Sequence, residues 1–148
     1  MKRRGFTLVE LAIVIAILGI LALYAIPKYQ GMVEEARTAQ AKAQLGTVRS
    51  ALAIYYAKNG GKFPDTTTFS NGSIFAEETV PTVEATLTDG TVRKSNAVAT
   101  GNNDGVVSVN EITDVGGWVY DVSTDRTKAD VRINAKGTSV EGILWYKY

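Results

Sequence analysis

The chain contains neither cysteine nor histidine in its 148 residues. Without cysteine, no disulfide can staple an exported domain. Such a domain must hold by its sheet, its packing or a bound metal. Without either residue type, most nucleophilic triads and the usual zinc sites are excluded. A carboxylate pair is the remaining route to acid–base chemistry, and no spacing of Asp and Glu suggests one. A phosphate-cradling glycine motif is also missing, so the chain has no nucleotide motor of its own. Its 16 basic and 15 acidic side chains sum to +1. Beyond the first residues no basic cluster stands out of the kind that tracks nucleic acid. The composition gives no support to an enzyme and none to direct nucleic-acid binding.

What the chain does have is concentrated at its start. Lys2, Arg3, Arg4 and Gly5 precede Phe6-Thr7-Leu8-Val9-Glu10, and an apolar run continues to Ile26 with Glu10 as its only charged residue. A membrane span needs about 20 apolar residues, so the run is long enough. The basic residues before it favour a cytoplasmic N-terminus in a single-pass orientation, with the remainder outside that membrane. An ordinary secretory signal fits the basic start, but its apolar region is normally shorter and uncharged, and no small-x-small cleavage site precedes Pro27. A plain anchor carrying a ligand-binding head predicts an uncleaved leader and no polymer. Neither accounts for Glu10, because a carboxylate well inside a bilayer costs on the order of 3 kcal/mol and such residues are usually functional and paired.

Gly5-Phe6-Thr7-Leu8-Val9-Glu10 behind a short basic leader resembles the class III signal of type IV pilins and type II secretion pseudopilins. The resemblance is dense over roughly the first 55 residues and implies a specific processing route. A prepilin peptidase would remove residues 1–5 by cutting between Gly5 and Phe6, and would N-methylate Phe6. Glu10 would then pair with the new amine of a neighbouring subunit. In an apolar medium either charge alone is costly, and removing one partner is worse than removing both, so the pair would fix register between helices. Residues 6–27 would be the membrane and filament-core helix. The product would be a helical homopolymer, an extracellular pilus, with an assembly ATPase and a platform protein supplying the work. The alternative within the family is a pseudopilin forming a short periplasmic filament for secretion or competence. Losing Lys2, Arg3 and Arg4 leaves 16 − 3 = 13 basic against 15 acidic side chains, a sum of −2. The absence of cysteine departs from the many type IV pilins that close a C-terminal loop with a disulfide, and leaves that loop's surface functions open.

Beyond Pro27 the composition turns to helix formers. Ala41, Leu45, Val48, Leu52 and Tyr55 make one apolar stripe at 4, 3, 4, 3 spacing. A single helix from about Phe6 to Lys58 is predicted, approaching ~80 Å at helical rise. Its amphipathic half covers residues 28–59, and Asn59-Gly60-Gly61 ends it. Gly19 and Pro27 mark where a kink or local melting is expected. Tyr55 and Tyr56 read as core.

Residues 60–148 read as a β-sheet head, giving an α+β class with the helix packed on a small antiparallel sheet, the pilin fold the resemblance implies. Val83–Thr88 and Thr91–Lys94 flank Asp89-Gly90, a two-residue hairpin signal. Trp118–Val122, Ala129–Ile133 and Ile143–Tyr146 read as further strands. Phe63 to about Val80 reads as loop. Asn102, Asp104, Gly105, Ser108 and Glu111 fall on positions three, five, six, nine and twelve of a calcium loop, with Thr100 where an Asp is expected at position one. Calcium is therefore a candidate ligand, and a solvated Asn-Asp-Gly turn is the other reading.

Overall fold

The computed structural model describes residues 5–148; Met1 to Arg4, which fall in the segment expected to be removed, lie outside the described residues. The chain divides into two units, residues 1–35 and 36–148. Helix α1 (Leu8–Lys58) supplies nearly all of the first unit and begins the second. Within the first, every described residue to Met32 is exposed. The helix is long and apolar enough there to cross a membrane. Pro27 removes one backbone donor, yet the helical assignment continues through it and through Gly19.

In the second unit the stripe is realised. Thr38, Ala41, Leu45, Val48 and Leu52 are buried and Tyr55 is half-buried, whereas Tyr56, expected in the core, is exposed, with its ring 4.6 Å from that of Phe63. Gly60 and Gly61 then turn left-handed, φ +64° and +77°, and the Gly61 N–H bonds back to the Tyr56 carbonyl. This is the helix stop that glycine permits without a Cβ clash.

The head has two sheets. Strands β1 (Val83–Thr86) and β2 (Val92–Ser95) form an antiparallel pair, and β3 (Val98–Thr100), β4 (Trp118–Val122) and β5 (Ala129–Ile133) form a second sheet in the order β3-β4-β5. The β4/β5 pairing is antiparallel; β3 joins β4 in parallel, Val98 opposite Trp118. The Asp89-Gly90 turn is a three-residue loop, not a two-residue one. The Leu87 N–H bonds to the Thr91 carbonyl and the Gly90 N–H to the Leu87 carbonyl, with Gly90 left-handed at φ +82°. A type I turn followed by a left-handed glycine needs that third residue.

Three other expectations change. The loop after Phe63 contains a short helix α2 (Thr66–Ser70) capped by Asp65, whose side chain accepts from the Thr68 N–H. Val98–Thr100 is a strand that local pattern did not reveal. Ile143–Tyr146 is not a strand: a lone bridge joins Thr138 to Leu144, and Trp145–Lys147 is a 3₁₀ turn. That turn buries Trp145 completely and lets its indole N–H donate to the Thr86 carbonyl at 3.0 Å, a geometry that an extended backbone would not provide.

The main core joins the helix stripe to Trp118, Tyr120, Val122, Val131, Ile133 and Trp145. Two of its aromatic rings have their polar tips bonded: the Trp118 indole donates to the Pro81 carbonyl and the Tyr120 hydroxyl to the Pro64 carbonyl. Phe69 stacks on Tyr120, 4.2 Å between ring centroids. The C-terminal residue is fastened to α1 without a disulfide. Arg49 donates to the Tyr148 carbonyl at 2.7 Å, and the Lys42 ammonium pairs with Glu141 and lies 4.4 Å from the Tyr148 ring centroid. Side chains alternate along a strand, so Val119 and Asp121 face away from the helix. Both are nonetheless buried, as is Ile112, because the long connection between β3 and β4 covers that side. Gly117 lets the connection rejoin the sheet: its φ is +79°, and a Cβ there would lie 2.3 Å from the Ala97 carbonyl oxygen.

Candidate functional site

The N-terminal site is built from the first helical turn. Helix α1 begins at Leu8, and Thr7 and Glu10 have the T-x-x-E spacing of a capping box. Glu10 Oε2 accepts from the Thr7 N–H and from the Thr7 hydroxyl, each at 2.8 Å, and the Glu10 N–H donates to Thr7 Oγ1 at 3.2 Å. Two of the donors that a helix start leaves orphaned are thereby satisfied. Glu10 thus has a partner within its own chain, a role the sequence reading missed although the T-x-x-E spacing was readable. Only one carboxylate oxygen is used, and an ionised carboxylate accepts about four bonds, so the other oxygen stays available to a cation.

Gly5 to Thr7 precede the helix in irregular backbone, and a Cβ on Gly5 would meet nothing within 4 Å. Phe6 is 85% exposed. The Gly5–Phe6 bond therefore lies in irregular, exposed backbone ahead of the helix. Gly19 is likewise open on its helix face, and Pro27 lies within the helix. Leu11, Ile13, Ile15, Leu18 and Ile20 are all exposed, so apolar surface surrounds Glu10 on its helix.

The second site is the loop after β3. Asn102, Asp104, Ser108 and Glu111 all lie on it, but β3 and a 3₁₀ turn (Val109–Glu111) flank it instead of two helices. Glu111 spends one oxygen on the Asn102 N–H at 2.7 Å and the other on the Ser108 N–H at 2.6 Å. Asp104 accepts from the Val106 N–H at 2.8 Å. Among the described residues no three acidic side chains converge tightly enough to hold an ion by themselves. Sequence reasoning did not anticipate Asp121, which is fully buried under this loop with both carboxylate oxygens unpartnered. Burial pushes its carboxyl above the usual range, and the close approach of the Asp104 carboxyl and then the negative charges of Glu111 and Asp104 push the same way. The Gly105 N–H lies close by without reaching hydrogen-bond geometry.

Comparison with known proteins points to the N-terminal site. The family model described as the prokaryotic N-terminal methylation motif matches residues 1–26. The type IV narrow pilus major component PilA5 of Thermus thermophilus is 48% identical over 54 residues, 36% of this chain and 47% of that protein. The type IV major pilin protein PilE1 of Neisseria gonorrhoeae is 46% identical over 66 residues, 45% of this chain and 39% of that one. A fimbrial protein of Pseudomonas aeruginosa is 35% identical over 111 residues, 72% of this chain and 66% of that one. The matched region thus spans less than half the length of the first two relatives. No solved structure matches. With the methylation motif, the apolar helix and a helix-on-sheet head in one chain, the protein belongs to the type IV pilin family.

Proposed function

We propose that the chain is a structural, non-catalytic subunit of a type IV pilus. It enters the inner membrane as a single-pass precursor with its N-terminus cytoplasmic, is cut by prepilin peptidase after Gly5, is N-methylated at Phe6, and is then drawn into a helical homopolymer outside the cell. The observation that carries this reading is the first helix: about twenty apolar residues around one carboxylate, all exposed in the lone chain. Such a surface must be covered, first by lipid and then by copies of itself. Glu10 leaves its local box at least in part and pairs with the methylated amine of a neighbour. Gly19 and Pro27 mark the segment that gives up helicity as subunits pack. Energy comes from an assembly ATPase and a platform protein.

The cleavage step has a direct test. Gly5→Ala adds one methyl in open space, so the fold is expected to be unaffected and any change belongs to peptidase recognition. Expressed with its peptidase, the variant should accumulate as full-length precursor in the membrane fraction while the parent is trimmed. Trimming of the variant at the parental rate would rule out Gly5 as the recognition residue.

A further inference from the structure

Asn or Asp precedes glycine at Asn59-Gly60, Asn71-Gly72, Asp89-Gly90 and Asp104-Gly105. In such a pair the glycine amide nitrogen can attack the preceding side-chain carbonyl carbon, because no Cβ shields it and its backbone turns freely. The fold obstructs this at three of the pairs. The Gly72 N–H is held by the Phe69 carbonyl at 3.0 Å, and Gly72 is buried so closely that a Cβ on it would lie 2.6 Å from the Thr79 backbone nitrogen. The Gly90 N–H is held by the Leu87 carbonyl, and Asp89 accepts from the Thr91 N–H at 2.8 Å. Gly105 is buried against Lys128, and Asp104 accepts from the Val106 N–H. Asn59-Gly60 differs. It directly follows Lys58, the last residue of α1, and both residues are exposed. A Cβ on Gly60 would meet nothing within 4 Å, and among the described residues no backbone carbonyl accepts from the Gly60 N–H. The Asn59 side-chain amide donates to the Tyr55 carbonyl at 2.9 Å, an acceptor already used by the Asn59 N–H. An exposed amide exchanges such a shared acceptor for water at little cost.

We propose that Asn59 is a site of spontaneous modification, deamidating through a cyclic imide where α1 ends. Hydroxide takes the proton from the Gly60 N–H, and the nitrogen bonds to Asn59 Cγ. The bond from Cγ to Nδ2 breaks, and Nδ2 leaves as ammonia with a proton from water. Water then adds to one carbonyl of the five-membered ring. Opening at Cγ yields aspartate with the chain intact. Opening at the main-chain carbonyl yields isoaspartate, in which the chain runs through Cγ and the main-chain carbon becomes the carboxylate. One water is consumed and one ammonia released, with no oxidant or reductant. Either product sets a carboxylate just past the helix C-terminus, where the partial charge is already negative. Isoaspartate also adds one main-chain atom ahead of Gly61, whose N–H bonds back to the Tyr56 carbonyl and closes the helix. Modification therefore weakens the helix stop. The chemistry depends on the local backbone and water alone, not on filament assembly.

The full chain in detergent micelles, incubated at mildly alkaline pH in water enriched in heavy oxygen and sampled by peptide mapping with mass spectrometry, tests the proposal. The expected result is progressive conversion of Asn59, with heavy oxygen in the product and isoaspartate among the forms, at a rate many times that of Asn71. In denaturant Asn59 and Asn71 should convert at comparable rates, since both precede glycine and the fold no longer distinguishes them. Gly60→Ala puts a Cβ beside the attacking nitrogen and should suppress conversion of Asn59. Conversion of Asn59 no faster than that of Asn71 in the folded chain overturns the proposal, as does undiminished conversion in Gly60→Ala. Should Gly60→Ala fail to fold at its left-handed position, φ +64° in the parent, the comparison of Asn59 with Asn71 in the folded parent still decides.

Discussion

Glu10→Ala is expected to leave cleavage after Gly5 intact and to reduce filaments formed from that subunit alone below detection. The variant removes the carboxylate that would meet a neighbour's Phe6 amine. In a core packed from the exposed faces of residues 6–32, that amine would then be buried without its counter-charge, and breaking a buried pair from one side costs about 3–5 kcal/mol. The loss recurs at every subunit of a polymer, so assembly fails even where the fold survives. The same substitution removes the local box with Thr7, worth roughly 1 kcal/mol at a helix start, which frays one turn without affecting the head. Thr7→Ala separates the two contributions, because it loses the Thr7 hydroxyl contacts with Glu10 but keeps the carboxylate. Filament yield by electron microscopy of sheared material, with cleavage followed on the same cells, is the measurement. Abundant filaments from Glu10→Ala alone would remove the register argument.

Trp145→Ala is expected to cost the head about 3–5 kcal/mol, the range for truncating a buried Trp or Phe. The ring is fully buried within the main core, its N–H is bonded to the Thr86 carbonyl, and its centroid is 5.5 Å from that of Tyr148. The truncation therefore opens a cavity, leaves the Thr86 carbonyl without this donor, and loosens the C-terminal turn that Arg49 and Lys42 hold to the helix. Typical domains have only about 5–15 kcal/mol in total, and no disulfide is present to retain the tail. Trp145→Phe keeps most of the buried area while losing the donor, so its cost should be clearly smaller. Chemical denaturation of the full chain in micelles, followed by near-ultraviolet circular dichroism, reads both. Equal midpoints for parent and Trp145→Ala would show that the C-terminal turn contributes little to the head.

The parts of this protein legible in its sequence are those whose signals are local. The apolar run and the stripe from Ala41 to Leu52 are each written in a few contiguous turns of helix. Strands β4 and β5 match the predicted Trp118–Val122 and Ala129–Ile133 because β-branched and aromatic residues cluster there between turn residues. Strand β3 was hidden: three residues, Val98-Ala99-Thr100, acquire strand geometry only by pairing in parallel with a segment some twenty residues downstream. Ile143-Leu144-Trp145-Tyr146 shows the converse. Its residues favour a strand, but burial of the Trp145 ring decides the backbone, and tertiary packing overrides propensity. Asp121 was the least visible residue of all. A single Asp within Trp-Val-Tyr-Asp-Val reads as the solvent-facing member of an alternating strand, and only the connection folded over that face makes it buried. Glu10, by contrast, stood out by composition, and the structure adds to it the cap that Thr7 provides.

Mass spectrometry of material sheared from intact cells tests the central claim most directly. The account predicts an abundant chain beginning at N-methylated Phe6, carried in the filament fraction. A chain retaining an intact Met1 and confined to the membrane would contradict it, and would leave the apolar helix as a plain anchor for the head.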